Sequence, residues 1–111
     1  MNWKLLFYEA NRGEKPVQEF IKKLSPATFA KILRMLELLE QYGTFLCMPH
    51  CKKITKDIYE LRIRGKEEIR IFYFIKKRNI YLPHAFKKKS QNTPVKEIEV
   101  AERRIDLLTN I

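Results

Sequence analysis

Ile58-Tyr59-Glu60-Leu61-Arg62-Ile63-Arg64, Ile69-Arg70-Ile71-Phe72-Tyr73-Phe74-Ile75-Lys76 and Asn79-Ile80-Tyr81-Leu82-Pro83-His84-Ala85-Phe86 follow one another with little between them. Each run is dense in β-branched and aromatic residues, the composition that suits a pleated, half-buried surface. The gaps Gly65–Glu68 and Lys77–Arg78 are short enough for hairpins, so the three runs predict an antiparallel meander. Upstream, residues 44–57 hold no clear period and read as a connecting loop. Before them, Ser25 and Pro26 supply an N-cap and a first helical residue, Phe29, Ile32, Leu33, Leu36 and Leu39 recur at helical spacing, and Gly43 makes a stop. Val17, Phe20, Ile21 and Leu24 mark a shorter helix after the turn Asn11–Pro16, and the two helices should form a hairpin. Residues 2–9 read as the first strand. Downstream, Thr93-Pro94 opens a capped helix through Ile98, Ala101, Ile105 and Leu108. The whole of residues 1–111 therefore reads as one α+β domain. It has an antiparallel sheet built from the N-terminal strand and the meander, with the helices mainly on one side.

The formal net charge is +10, and it is unevenly placed. Residues 1–51 carry 7 basic and 5 acidic side chains, residues 52–89 carry 13 and 4, and residues 90–111 carry 3 and 4. Charge so concentrated attracts a polyanion, and nucleic acid is the first candidate. A merely solvated basic surface is the alternative. No stretch approaches the ~18 uninterrupted apolar residues of a membrane span. The start Met1-Asn2-Trp3-Lys4-Leu5 lacks the features of a signal peptide, and two cysteines are too few for a secreted disulfide scaffold. A cytoplasmic protein with no membrane association is expected.

Strand alternation sorts the side chains of the meander. Tyr59, Leu61 and Ile63 belong to the core, leaving Glu60, Arg62 and Arg64 on the other face. If Arg70 shares that face with Phe72 and Phe74, it joins fixed cations to aromatic rings, a surface that can hold phosphates and stack bases. A sheet face that is polar only because no helix covers it is the plain alternative. Lys87-Lys88-Lys89 follow the last strand, and crowded ammonium groups lower one another's pKa. These groups suit metal-free RNA cleavage, in which the 2′-hydroxyl attacks the adjacent phosphate, cations stabilise the phosphorane and a side chain moves the proton. The sequence offers no acidic cluster of the kind that holds paired Mg²⁺, so no metal or other cofactor is expected. Cys47, His50 and Cys51 lie too tightly for a zinc site, which usually needs two spaced pairs. His84, alternating with Leu82 and Phe86, reads as a core or rim residue, and Tyr73 as core unless a bulge re-aims it. Pro83 removes a ladder donor and signals an edge or a bulge.

The run Tyr59-Glu60-Leu61-Arg62-Ile63-Arg64 with Ile69-Arg70-Ile71-Phe72-Tyr73 resembles the RelE/HigB superfamily of bacterial toxins, most of all its phage-related HigB-like branch. His84–Pro94 and the helix containing Glu97-Ile98-Glu99-Val100-Ala101 are similar to that branch's last strand, lysine-rich loop and terminal helix. Lys52-Lys53 sits where the branch has a lysine pair. The resemblance implies a RelE-like fold and the toxin of a type II toxin–antitoxin system, a ribosome-dependent endoribonuclease that cuts mRNA in the A site and is held inactive by a cognate antitoxin. It implies Arg62, Arg70 and Lys88 as catalytic, with Lys52, Lys53, Arg64, Lys87 and Lys89 contacting RNA, to which the alternation adds Phe72 as an RNA contact. The chain departs from the pattern at Glu60, where some relatives carry lysine, and lacks the expected C-terminal tyrosine. A non-catalytic RNA- or ribosome-binding module of the same fold stays open. A DNA-binding partner would need a basic recognition helix, which neither long helix resembles.

Overall fold

The chain runs β1 (Lys4–Phe7), α1 (Pro16–Lys22), α2 (Pro26–Tyr42), a 3-10 turn (Gly43–Phe45), β2 (Cys51–Lys53), β3 (Tyr59–Ile63), β4 (Ile69–Lys76), β5 (Asn79–Lys87) and α3 (Val95–Thr109). This is a computed structural model, and it describes residues 2–46 and 49–109. The five strands form one sheet in the order β1-β5-β4-β3-β2. The meander has the expected antiparallel pairing, with Leu61 opposite Ile71 and Ile71 opposite Ala85. The architecture is α+β, and three expectations need correction.

The sheet is mixed, not wholly antiparallel, because β1 runs parallel to β5 with Leu5 opposite Ile80. A four-residue strand carries no sign of its direction; the helical hairpin that follows brings it back alongside. Residues 44–57 are not all loop, since Cys51 pairs with Leu61 and Lys52 with Glu60. Three residues are too few to display a period. The helices also cover both faces of the sheet. Val17 and Ile21 of α1 and Ile32, Leu36 and Leu39 of α2 pack with Leu61, Ile63, Ile71, Tyr73 and Leu82. On the reverse face, Ile98, Ala101 and Ile105 of α3 pack with Ile58, Phe72 and Phe86. Residues at even positions of β3 and β4, expected to face solvent, are therefore partly roofed by α3.

Ser25 caps α2 as expected: its Oγ accepts from the Thr28 amide at 3.3 Å, with Pro26 in the first turn. Gly43 ends the helix at φ 50°, its amide bonding to Leu39 O, and a Cβ there would overlap the Trp3 ring. Both facts require glycine. Pro83 sits at a bulge. Phe72 faces His84 but Phe74 faces Tyr81, so Leu82 and Pro83 together stand opposite Tyr73. The extra residue lets an interior strand carry a proline. It also shifts the alternation, so that Ile80, Leu82 and Ala85 share one core while His84 joins Phe86 on the opposite face. Tyr73 stays buried despite the bulge, with burial first, and then Cys51, pushing its phenol pKa up.

Candidate functional site

Two rows of paired residues cross the face beneath α3. Lys52, Glu60, Phe72 and His84 form one, and Arg62, Arg70 and Phe86 form the next. Glu60, in the first row, is fully buried. Its Oε2 accepts from Thr93 Oγ1 at 2.8 Å, while its Oε1 lies 3.6 Å from Arg62 Nε and 3.5 Å from Arg70 Nε. Arg70 is only 3% exposed. Its Nη1 donates to Ile69 O at 3.0 Å, and its Nη2 donates to Glu68 Oε1 at 3.2 Å. Two carboxylates thus hold one buried guanidinium, as a charge taken out of water requires. Yet Glu60 Oε1, Arg62 Nε and Arg70 Nε have no hydrogen-bond partner among the described residues. The attraction is ionic and the donors keep unused capacity.

Over this pair opens a cleft of about 490 Å³ lined by Arg62, Arg64, Glu68, Arg70, Lys88, Lys89, Ser90 and Gln91. Five of those side chains are cationic and one is acidic, which makes the cleft a receptor for anions. The β5–α3 connection forms one wall, fixed where the Lys88 amide donates to Glu68 O at 2.7 Å. Partial burial lowers the Lys88 pKa; Glu60 opposes the shift, and Arg70, Arg62 and Lys52 add to it. Burial acts to raise the pKa of Glu68, but the Gly65 amide and Arg70 outweigh it and hold the carboxyl below its ordinary value. The arrangement can bind a phosphate and can supply an ammonium that gives up its proton unusually easily.

The sequence pattern of the phage-derived Gp49-like proteins (DUF891) matches residues 19–106, most of the chain and every residue lining the cleft. The chain belongs to the Gp49-like family. That family is associated with RelE-like toxins. No curated protein matches the chain.

In this Gp49-like chain the expected site residues divide. Arg62, Arg64, Arg70, Lys88 and Lys89 meet at the cleft, and Lys52 lies on the same sheet face close enough to influence Lys88. Three others do not join them. Lys53 points from the opposite face of β2, its ammonium 5.9 Å from the Tyr59 ring centroid. Lys87 is still part of β5, so alternation turns it toward α2, where its Nζ lies 3.9 Å from Glu67 Oε2. Phe72, expected to stack on a base, is fully buried beneath α3 with Phe86 edge-on at 5.2 Å between centroids. Its ring is closed to a ligand. Sequence reasoning missed Glu68 and Thr93 as parts of the site. Glu68 stands two residues from Arg70, a spacing that could have signalled the ion pair; Thr93 was read only as a helix cap.

His84 lies under α3 as a rim residue, its Nε2 donating to Glu97 Oε1 at 2.8 Å and its Nδ1 3.4 Å from Arg104 Nη1. Burial lowers its pKa and outweighs Glu97, which acts to raise it. The neutral tautomer with the proton on Nε2 satisfies both contacts. Cys51 is buried and its Sγ donates to Leu46 O at 3.0 Å, while Cys47 lies outside the described residues. No helix among the described residues is long and apolar enough to cross a membrane.

Proposed function

We propose that this Gp49-like protein is the toxin of a type II toxin–antitoxin pair, a HigB-like endoribonuclease that cuts mRNA in the ribosomal A site without a metal. The observation that carries the reading is the convergence of Arg62, Arg70 and Lys88 on one cleft, with Lys88 easier to deprotonate than a free lysine. Both nearby carboxylates, Glu60 and Glu68, are engaged by arginines, so cations do the electrostatic work. In the reaction, Lys88 takes the proton of the 2′-hydroxyl as its oxygen bonds to phosphorus. Arg62 and Arg70 stabilise the charge gathering on the phosphoryl oxygens. The bond from phosphorus to the 5′-oxygen then breaks, and the open cleft lets water protonate the leaving group. Lys52, Arg64 and Lys89 hold neighbouring phosphates. A cognate antitoxin with an acidic segment would silence the protein by covering the same cleft.

The test is to incubate the purified protein with a defined mRNA, with and without programmed ribosomes, and to map new 5′ ends by primer extension. Cuts confined to ribosome-bound mRNA are expected, and Lys88→Met should slow them about 100-fold or more, the usual scale for losing a proton-transfer group. Arg70→Ala is a poor probe, because it strands the buried Glu60 carboxylate. Bound ribosomes with uncut message would make the protein a non-catalytic binding module, a reading favoured by the partial neutralisation of Arg70. Cuts on free RNA would keep the nuclease and remove the ribosome.

A further inference from the structure

A second cavity, of about 280 Å³, adjoins the cationic cleft along the outer edge of β3. β2 pairs with β3 only as far as Leu61, and the Arg62 amide makes a last bond to His50 O at 2.8 Å. Beyond that point buried Ile63 and exposed Arg64 line the cavity together with residues of α2 and of the Pro49–His50 turn. Met35, Ile63 and Pro49 give the cavity apolar walls. Its rim is Lys31, Arg34, Arg62 and Arg64, and among the described residues no carboxylate lines it. Lys31 is fixed there by donating from Nζ to Arg64 O at 3.1 Å. Arg62 and Arg64 line both cavities, so the two spaces are neighbours along β3.

We propose that this groove is a nucleobase slot, holding the base of a nucleotide whose phosphate rests on Arg62 and Arg64. The inference rests on the reading of the protein as an RNA-directed enzyme and adds the place where it senses a base. The occupant must join a flat apolar body to an adjacent negative charge, and a nucleotide does so within one residue. The volume of about 280 Å³ falls just below the ~300–1,000 Å³ typical of small-ligand pockets, room for one ring system and not for a packed helix. Met35, half-buried on α2, gives the base a polarizable face, and exposed His50 offers ring nitrogens at the mouth. Among the described residues no acidic side chain lines the space. Met35, Pro49 and His50 would therefore set base preference while Arg62 and Arg64 hold any phosphate alike.

The test uses the full chain with labelled methionine and isoleucine methyls, titrated separately with adenosine 5′-monophosphate and ribose 5-phosphate. Both should shift the Arg62 and Arg64 amides. Only the nucleotide should move the Met35 and Ile63 methyls, through the ring current of its base. Met35→Ala, a helix-compatible change at a half-buried position, should weaken the nucleotide about tenfold and leave ribose 5-phosphate unchanged, a size in line with losing one base contact. Still methyls, with both ligands binding equally at the arginines, would overturn the slot and leave the RNA reading standing. Failure of both ligands to reach the arginines would bring down that reading and the slot with it. Methyls that respond to an acidic aromatic peptide and not to the nucleotide would assign the groove to a protein partner instead.

Discussion

Glu60 controls how much positive charge Arg62 and Arg70 present to the cleft, since its Oε1 lies between their Nε atoms without bonding closely to either. It is also the charge that keeps the Lys88 pKa from falling further. Glu60→Gln preserves shape and the acceptor for Thr93 but removes the charge. If Lys88 accepts the proton in catalysis, this variant should carry the acidic limb of the cleavage-rate profile to lower pH. The sign follows directly: a base works when deprotonated, and a lower pKa leaves it deprotonated in more acidic solution. The same change leaves two guanidinium groups with less compensation, so stability should fall by about 3 kcal/mol, read from the urea midpoint. An acidic limb that stays where it was would remove Lys88 from proton transfer. The neighbourhood of Arg62 and Arg70 was legible in the sequence because alternation and a short hairpin place them opposite each other. The division of Lys87 from Lys88 and Lys89 was not. It depends on β5 continuing one residue past Phe86, a boundary that composition does not mark.

At the scale of elements, α3 changes the meaning of the sheet face it covers. The sequence shows that α3 is amphipathic, but which surface receives its apolar side is a tertiary fact, and this is why Phe72 read as open. Pro83, by contrast, announced its bulge, since a ring without an amide donor has few places in an interior strand. α3 is held by apolar contacts, by Thr93 on Glu60 and by Glu97 and Arg104 on His84. Because burial lowers the His84 pKa, the folded protein binds a proton at this site less readily than the unfolded chain does. His84 therefore costs no stability above its ordinary unfolded value near 6.5, and stability should decline as pH falls below it toward the lower folded pKa. Urea midpoints between pH 8 and pH 5 should show that decline in the parent protein and a shallower one in His84→Phe. Equal slopes in the two proteins would mean that other groups carry the acid sensitivity.

Across the whole molecule, net charge and charge placement make different claims about RNA. If the +10 balance acted as a diffuse cloud, each lysine of residues 52–89 would matter about equally. The fold sorts them instead: Arg62, Arg64, Lys88 and Lys89 line the cleft, while Lys53 and Lys87 face elsewhere. Binding of single-stranded RNA releases counterions for each phosphate neutralised, with log K falling against log salt at about 0.7 per contact. With Arg70 already engaged by Glu60 and Glu68, the other four cleft cations and Lys52 predict a slope of about −3.5, measured by fluorescence anisotropy on a short oligonucleotide. Lys89→Ala should flatten that slope by about 0.7 and weaken binding at every sequence tested alike, since a lysine on a phosphate reads no base. Lys53→Ala and Lys87→Ala, equal to it in charge removed, should leave the slope unchanged. The comparison holds composition constant and varies only position. If all three variants flattened the slope equally, the basic surface would be acting as a whole and the cleft would lose its standing as the interface.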